Sequence, residues 1–250
     1  MILMHGLGSS REVWTPILPA LAREFSVVSV DLPGFGESPM PADGDASLSA
    51  QAKAIEDLME EAEIEMAHFV GNSMGGRLAL EMGRRGRARS VVAISPHGAF
   101  DEREGRKELR LLRLQRLFAG PASRMGTLPF RTRLGRRMAL RYASAKPDLV
   151  TPEDAAAATR NFARAPGFDS ALASITSETA YRLQDVHCPV LILWGDRDRI
   201  LSPAQGPRMA SQIGGSELRE LEGLGHVPMP EDPELVSGLV LEFALRADRD

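Results

Sequence analysis

The sequence predicts an α/β fold, with a mostly parallel sheet of about six strands flanked by helices and one helical insertion. Three observations predict it. Short runs rich in Val and Ile alternate with amphipathic stretches over roughly the first hundred residues. The alternation breaks after Ser95-Pro96 and resumes at Val190. Helical patterns, and no convincing strand, fill the interval between. Brief apolar runs separated by helices suit strands buried on both faces of a sheet.

Strands are expected at 2–4, 26–30, 67–70, 90–94, 190–194 and 217–220. Helices are expected near 14–23, 48–63, 74–85, 203–213 and 233–245. Residues 41–47, Pro-Ala-Asp-Gly-Asp-Ala-Ser, read as a surface loop. Within the insertion, 101–118 is a charged helix carrying leucines at 109, 111, 112, 114 and 117. Further helical pieces are expected at 135–142, 152–164 and 169–175. The organisation is one α/β domain in two parts, 1–96 and 183–250, with a helical cap over 97–182.

Composition narrows the class. Hydrophobic residues make up 43% and charged residues 26% of 250, which suits a globular chain with a substantial core. A single cysteine, Cys188, excludes an intrachain disulfide and a cysteine-cluster metal site. A reducing, cytoplasmic setting is the simplest reading. Met1-Ile2-Leu3-Met4 opens without a basic leader, which argues against a signal peptide. No window reaches the roughly 18 apolar residues of a membrane span, so stable membrane insertion is not expected. The net charge of -4 gives no reason to expect nucleic-acid binding. Gly6 and Gly8 lack the third glycine of a dinucleotide fingerprint, and neither cofactor nor metal is expected.

The charge is unevenly spread. Residues 97–182 carry 16 Lys and Arg against 9 Asp and Glu, while the remainder carries 14 against 25. Solvated helix faces account for such a bias most simply. The sharper alternative is a basic insert that steers an anionic substrate or touches anionic lipid.

The chemistry centres on Gly71-Asn72-Ser73-Met74-Gly75-Gly76, which joins an expected strand to an expected helix. A serine on so sharp a turn has its hydroxyl pushed into open space. It still needs a base within hydrogen-bond reach and a group to orient that base. Of five histidines, His226 stands in the glycine-flanked loop Gly223-Leu224-Gly225-His226-Val227-Pro228 and can point into a cleft. His68 and His187 adjoin strands and read as structural or surface residues, and His5 as a support for the turn at Gly6. His97, just beyond the fourth strand, could line a pocket. Asp196 and Asp198 compete as the orienting acid, and Asp198 is favoured because Asp196 follows the strand too closely. Oxyanion donors would be the backbone N–H groups of Met74 and Leu7.

These residues resemble the α/β-hydrolase superfamily over nearly the whole chain. His5-Gly6 resembles its oxyanion loop, and Asp31-Leu32-Pro33-Gly34-Phe35-Gly36-Glu37-Ser38 its D-x-x-G-x-G-x-S turn. Gly71 to Gly75 is similar to the nucleophile elbow, and Gly195-Asp196-Arg197-Asp198 to the acid turn. Gly225-His226-Val227-Pro228, with Glu231 and Pro233 beyond, resembles the histidine-bearing ending. The resemblance implies Ser73 as nucleophile, His226 as base and then acid, and Asp198 as its support. It also implies a cap between the family's sixth and seventh strands. One departure stands out. The family usually begins with a two-strand hairpin, absent here, so strand 26–30 should form an open edge. Either the chain is truncated, or a partner or loop covers that edge, which invites pairing between copies.

The resemblance does not fix the substrate. The leading expectation is a hydrolase of small carboxylic esters working through an acyl-enzyme. A C–C hydrolase of the meta-cleavage type is the second, suggested by G-N-S-M-G-G. It ranks lower because Ser9-Ser10 and Val227 stand where those enzymes carry other residues. A cofactor-free perhydrolase would use the same triad, and a small-molecule receptor on this fold is the non-enzyme alternative. A haloalkane dehalogenase would need aspartate at Ser73. Expected pocket residues are Leu7, Trp14, Met74, His97 and Val227, with Leu114 and Phe118 from the cap.

Overall fold

The computed structural model describes residues 1–177 and 182–249, so 178–181 of the expected insertion lie outside the described residues. Six strands form one sheet: β1 (Ile2–Met4), β2 (Val28–Val30), β3 (Ala67–Asn72), β4 (Ala88–Ile94), β5 (Val190–Gly195) and β6 (Glu217–Leu221). Their order in space is β2-β1-β3-β4-β5-β6, and every neighbouring pair is parallel. β3 and β5 are buried at every position, as strands covered on both faces should be. Among the described residues β2 pairs only with β1, and it is partly exposed, which makes it the open edge the sequence predicts.

Side chains alternate between two cores, because successive strand residues point to opposite faces. Ile2, Met4, Phe69, Val91 and Ile192 face one layer. There they meet Ala52, Ile55 and Met59 of α2 (Leu48–Glu61) and Leu78 and Met82 of α3 (Met74–Arg84). Leu3, Val70, Val92 and Leu193 face the other layer. That layer holds Leu21 of α1 (Leu18–Leu21) and Val236, Val240 and Phe243 of the closing helix.

Some elements are shorter than their patterns suggest. The helix expected at 14–23 is a 3-10 turn, Arg11–Trp14, followed by α1 alone. Pro16 and Pro19 break the run, since proline lacks the amide donor a helix interior needs.

Among the described residues, four α-helices stand between β4 and β5: α4 (Glu102–Arg124), α5 (Arg133–Leu140), α6 (Pro152–Arg164) and α7 (Phe168–Ser177). No strand occurs there among the described residues. A capping box starts α4. The Asp101 carboxylate accepts the Arg103 and Glu104 N–H groups, and Glu104 accepts the Asp101 N–H. Arg116 ties α4 to its neighbours by donating to the Ala165 carbonyl at 2.9 Å and lying over the Phe168 ring. The fold closes with α8 (Gln205–Ala210) and α9 (Pro233–Ala247). Among the described residues, no helix is long and apolar enough to cross a membrane.

Candidate active site

The chain runs from β1 to β2 on one side, then returns to place β3 on the other. Their carboxyl ends therefore open a crevice at the point where strand order reverses. His5-Gly6-Leu7 leaves β1 there, and Ser73 leaves β3. The two turns touch: a Cβ built on Gly6 would lie 3.1 Å from the Ser73 Cβ.

Ser73 has φ 57° and ψ -115°, an unfavourable conformation for a residue with a side chain. Its surroundings enforce it. Gly71 and Gly75 meet so closely that a Cβ on Gly71 would fall 2.0 Å from the Gly75 carbonyl oxygen. A Cβ on Gly75 would fall 2.1 Å from the Met4 carbonyl oxygen. Only glycine lets the strand, the turn and α3 pass at this separation. Ser73 occupies the N-cap position of α3 yet makes no side-chain cap bond, which leaves the hydroxyl available for other work.

His226 and Asp198 meet across the loops after β6 and β5. The His226 Nδ1 lies 2.7 Å from the Asp198 Oδ2, and both side chains are almost wholly buried. The other carboxylate oxygen accepts the N–H groups of Ile200 at 2.8 Å and Leu201 at 2.9 Å. A carboxylate only accepts, so the hydrogen sits on Nδ1, the tautomer whose neutral form leaves Nε2 as the acceptor. Asp196 does something else, accepting the Gly223 N–H to close the turn.

Asn72 links the two halves. Its Nδ2 donates to the His226 carbonyl at 2.9 Å and to the Ile94 carbonyl at 3.2 Å. The residue next to Ser73 thus holds the backbone of His226. Glu231 braces the same loop from behind, accepting the N–H groups of Gly225 and Ala145, each at 3.0 Å. Burial pushes its carboxyl above the usual range. Val227 donates its N–H to the Ala143 carbonyl, so the histidine loop is also tied to the helical insertion.

Among the described residues, the backbone N–H groups of Leu7 and Met74 make no backbone hydrogen bond. Both donors border the Ser73 turn. His5 fixes the Leu7 loop from below. Its Nε2 accepts the Leu32 N–H at 3.1 Å, so Nδ1 carries the hydrogen and donates to the Gly6 carbonyl at 2.8 Å. Burial lowers its pKa to about 4, consistent with a neutral imidazole.

Other expected pocket residues divide. The His97 backbone donates to the Ser73 carbonyl at 3.2 Å, and its buried ring packs on Phe100. Trp14 is fully buried with Leu3, Ile17 and Leu21, so it is placed as a core residue, not a pocket wall. Its indole fills space that the short, proline-broken segment leaves against the sheet. Leu114 and Phe118 are corrected likewise. They are 49% and 68% exposed and lie on the outer face of α4.

Sequence reasoning missed Glu108. It is buried at the inner face of α4, where Oε1 accepts Gln205 Nε2 at 2.6 Å. Its Oε2 is 3.6 Å from His97 Nε2. Burial raises the Glu108 pKa to about 7, and burial followed by the Arg77 charge lowers that of His97 to about 3. One signal was available: Glu108 stands one helical turn before Leu112, on the arc that faces the core.

Residues 1–239 match the alpha/beta hydrolase family. The chain belongs to that family. This alpha/beta hydrolase is similar to an epoxide hydrolase of Mycobacterium tuberculosis, with 29% identity covering 79% of this chain and 94% of the relative. It is also 28% identical to a 2-hydroxy-6-oxononadienedioate/2-hydroxy-6-oxononatrienedioate hydrolase of Pseudomonas putida, covering 97% and 86%. Among solved structures, a thermophilic esterase from Thermogutta terrifontis superposes with a TM-score of 0.75 at 24% identity, covering 98% of this chain and 89% of that one. That likeness concerns the fold.

Proposed function

We propose that this alpha/beta hydrolase cleaves small carboxylic esters through an acyl-enzyme, with Ser73, His226 and Asp198 as its triad. The observation that carries the reading is the Asn72 side chain, which ties the His226 carbonyl to the residue beside Ser73. In this mechanism the Ser73 oxygen attacks the ester carbonyl carbon while His226 Nε2 takes its proton. The Leu7 and Met74 N–H groups hold the oxyanion. His226 returns the proton to the departing alcohol. A water then attacks the acyl-enzyme, again through His226, and releases the acid. Asp198 stabilises the imidazolium in both halves.

Epoxides fit a serine poorly. Ring opening by Ser73 would leave the product attached through an ether, which water does not readily cleave. A carbonyl substrate leaves an ester, which water does cleave. One alternative has specific support. The Gly71-Asn72-Ser73-Met74-Gly75-Gly76 turn and the Pseudomonas putida relative favour a vinylogous diketone as the substrate of a C–C hydrolase.

A fluorophosphonate probe should label Ser73 in the folded protein and leave Ser73→Ala unlabelled. A panel of neutral esters, anionic esters, lactones and vinylogous diketones then ranks the substrates. Failure of labelling sinks the mechanism, and diketone turnover above that of every ester transfers the activity to C–C cleavage.

A further inference from the structure

We propose that the outer face of the helical insertion docks on an anionic lipid surface. Apolar exposure is concentrated there. Of the eleven large hydrophobic residues exposed among the described residues, eight fall between Leu114 and Leu149. Leu114, Leu117, Phe118 and Met125 recur at helical spacing along one face of α4 and just past its end. Leu134 and Met138 make the same stripe on α5. The turn Leu128–Arg131 joins them, following α4 in the chain and packing on α5. An apolar surface this extended marks an interaction site more often than chance exposure.

Charge identifies the partner. Residues 109–149 contain ten Lys and Arg, of which Arg116 is turned inward, and a single acid, Asp148. Asp148 is bound to Arg137 at 2.6 Å. A second copy of this face would bring two strongly cationic surfaces together, so self-association is disfavoured. Nucleic acid would satisfy the arginines but leave the leucines and Phe118 in water. An anionic bilayer offers phosphates to the cations and acyl chains to the apolar stripe, the pattern of interfacial helices. A groove of about 350 Å³ lies between this segment and the loop after β5, lined by Arg137, Arg141, Lys146 and Asp148 of the former and Arg199 of the latter. Its size and charge suit a lipid headgroup. The proposal does not depend on the ester-hydrolase reading, since docking requires no turnover.

Vesicle flotation tests it with the full chain. The protein should float with phosphatidylcholine vesicles containing phosphatidylglycerol, and not with phosphatidylcholine alone. Added salt should release it. Arg131→Gln with Arg133→Gln removes two exposed charges and should weaken binding roughly twenty-five-fold, at about a factor of five per charge. Leu117→Ser with Phe118→Ser should also weaken binding, with thermal unfolding unchanged because both side chains are exposed. Equal flotation with neutral and anionic vesicles overturns the proposal, as does binding that both double variants retain. A dimer in sedimentation that Leu117→Ser/Phe118→Ser dissolves, without vesicle binding, would show a second copy as the occupant. Tight binding of duplex DNA, unchanged in that variant, would point to a nucleic-acid surface instead.

Discussion

Helices α3 and α4 make opposite use of their surroundings. From Met74 to Gly83 every residue of α3 is buried. Twice as long, α4 buries only Glu108 and Leu112. The first is clamped between the sheet and its neighbours, with glycines where backbones touch. The second rests on a narrow inner stripe and turns leucines, Phe118 and arginines outward. The difference teaches where rigidity is needed. A strained turn such as the one at Ser73 persists only when packing over-determines it. A surface meant to meet something else need be held only along one edge.

The comparison can be broken first at Ser73. Ser73→Ala should reduce ester turnover by about 10⁴-fold or more. The thermal midpoint should stay near that of the parent, because the hydroxyl makes no cap bond. Turnover that survives in this variant would place the chemistry elsewhere.

Gly75→Ala probes the clamp on α3. A methyl group there meets the Met4 carbonyl at 2.1 Å, and neither backbone can yield alone. The expected loss is about 4 kcal/mol or more, read from urea unfolding. A variant of parental stability would show the elbow to be looser than its glycines imply.

Glu108 tests the inner stripe of α4. Its folded pKa, about 7, lies above the ordinary value of 4.5. The folded state therefore holds this proton more tightly than the unfolded chain. That contribution to stability is complete below pH 4.5 and is lost as pH rises through about 7. Glu108→Gln should flatten the stability profile across that window by about 3 kcal/mol. Denaturation midpoints measured between pH 4 and 8 would reveal an unchanged slope if Glu108 is not the titrating group.

The smallest effect belongs to the outer face. Leu117→Ser should shift folding stability by no more than about 0.5 kcal/mol, because its side chain is already in water. A larger loss, seen in the same urea titration, would mean that this face packs against the protein itself.

Much of the core was legible from residues 67–85. An apolar run, two close-set glycines around a serine and an amphipathic helix leave few other ways to fold. The positions of β1, β3 and β5 followed from their apolar runs, because burial on both faces leaves an unbroken apolar signature. Trp14 misled for a related reason. An aromatic residue near a catalytic loop looks the same in sequence whether it faces a substrate or the core. Leu114 and Phe118 misled through periodicity, which shows that α4 has an apolar face without showing that the face turns inward.

By itself the sequence determined the order of elements, the candidate nucleophile, base and acid, and the basic character of 97–182. These depend on local pattern and residue chemistry, which the chain carries wherever it goes. Asp198 was already favoured over Asp196, but tertiary structure alone decided that Asn72 holds the histidine loop and that Glu108 is buried while Phe118 is not. Each is a contact between segments remote in sequence, and long-range packing chooses among partners that local chemistry leaves equivalent.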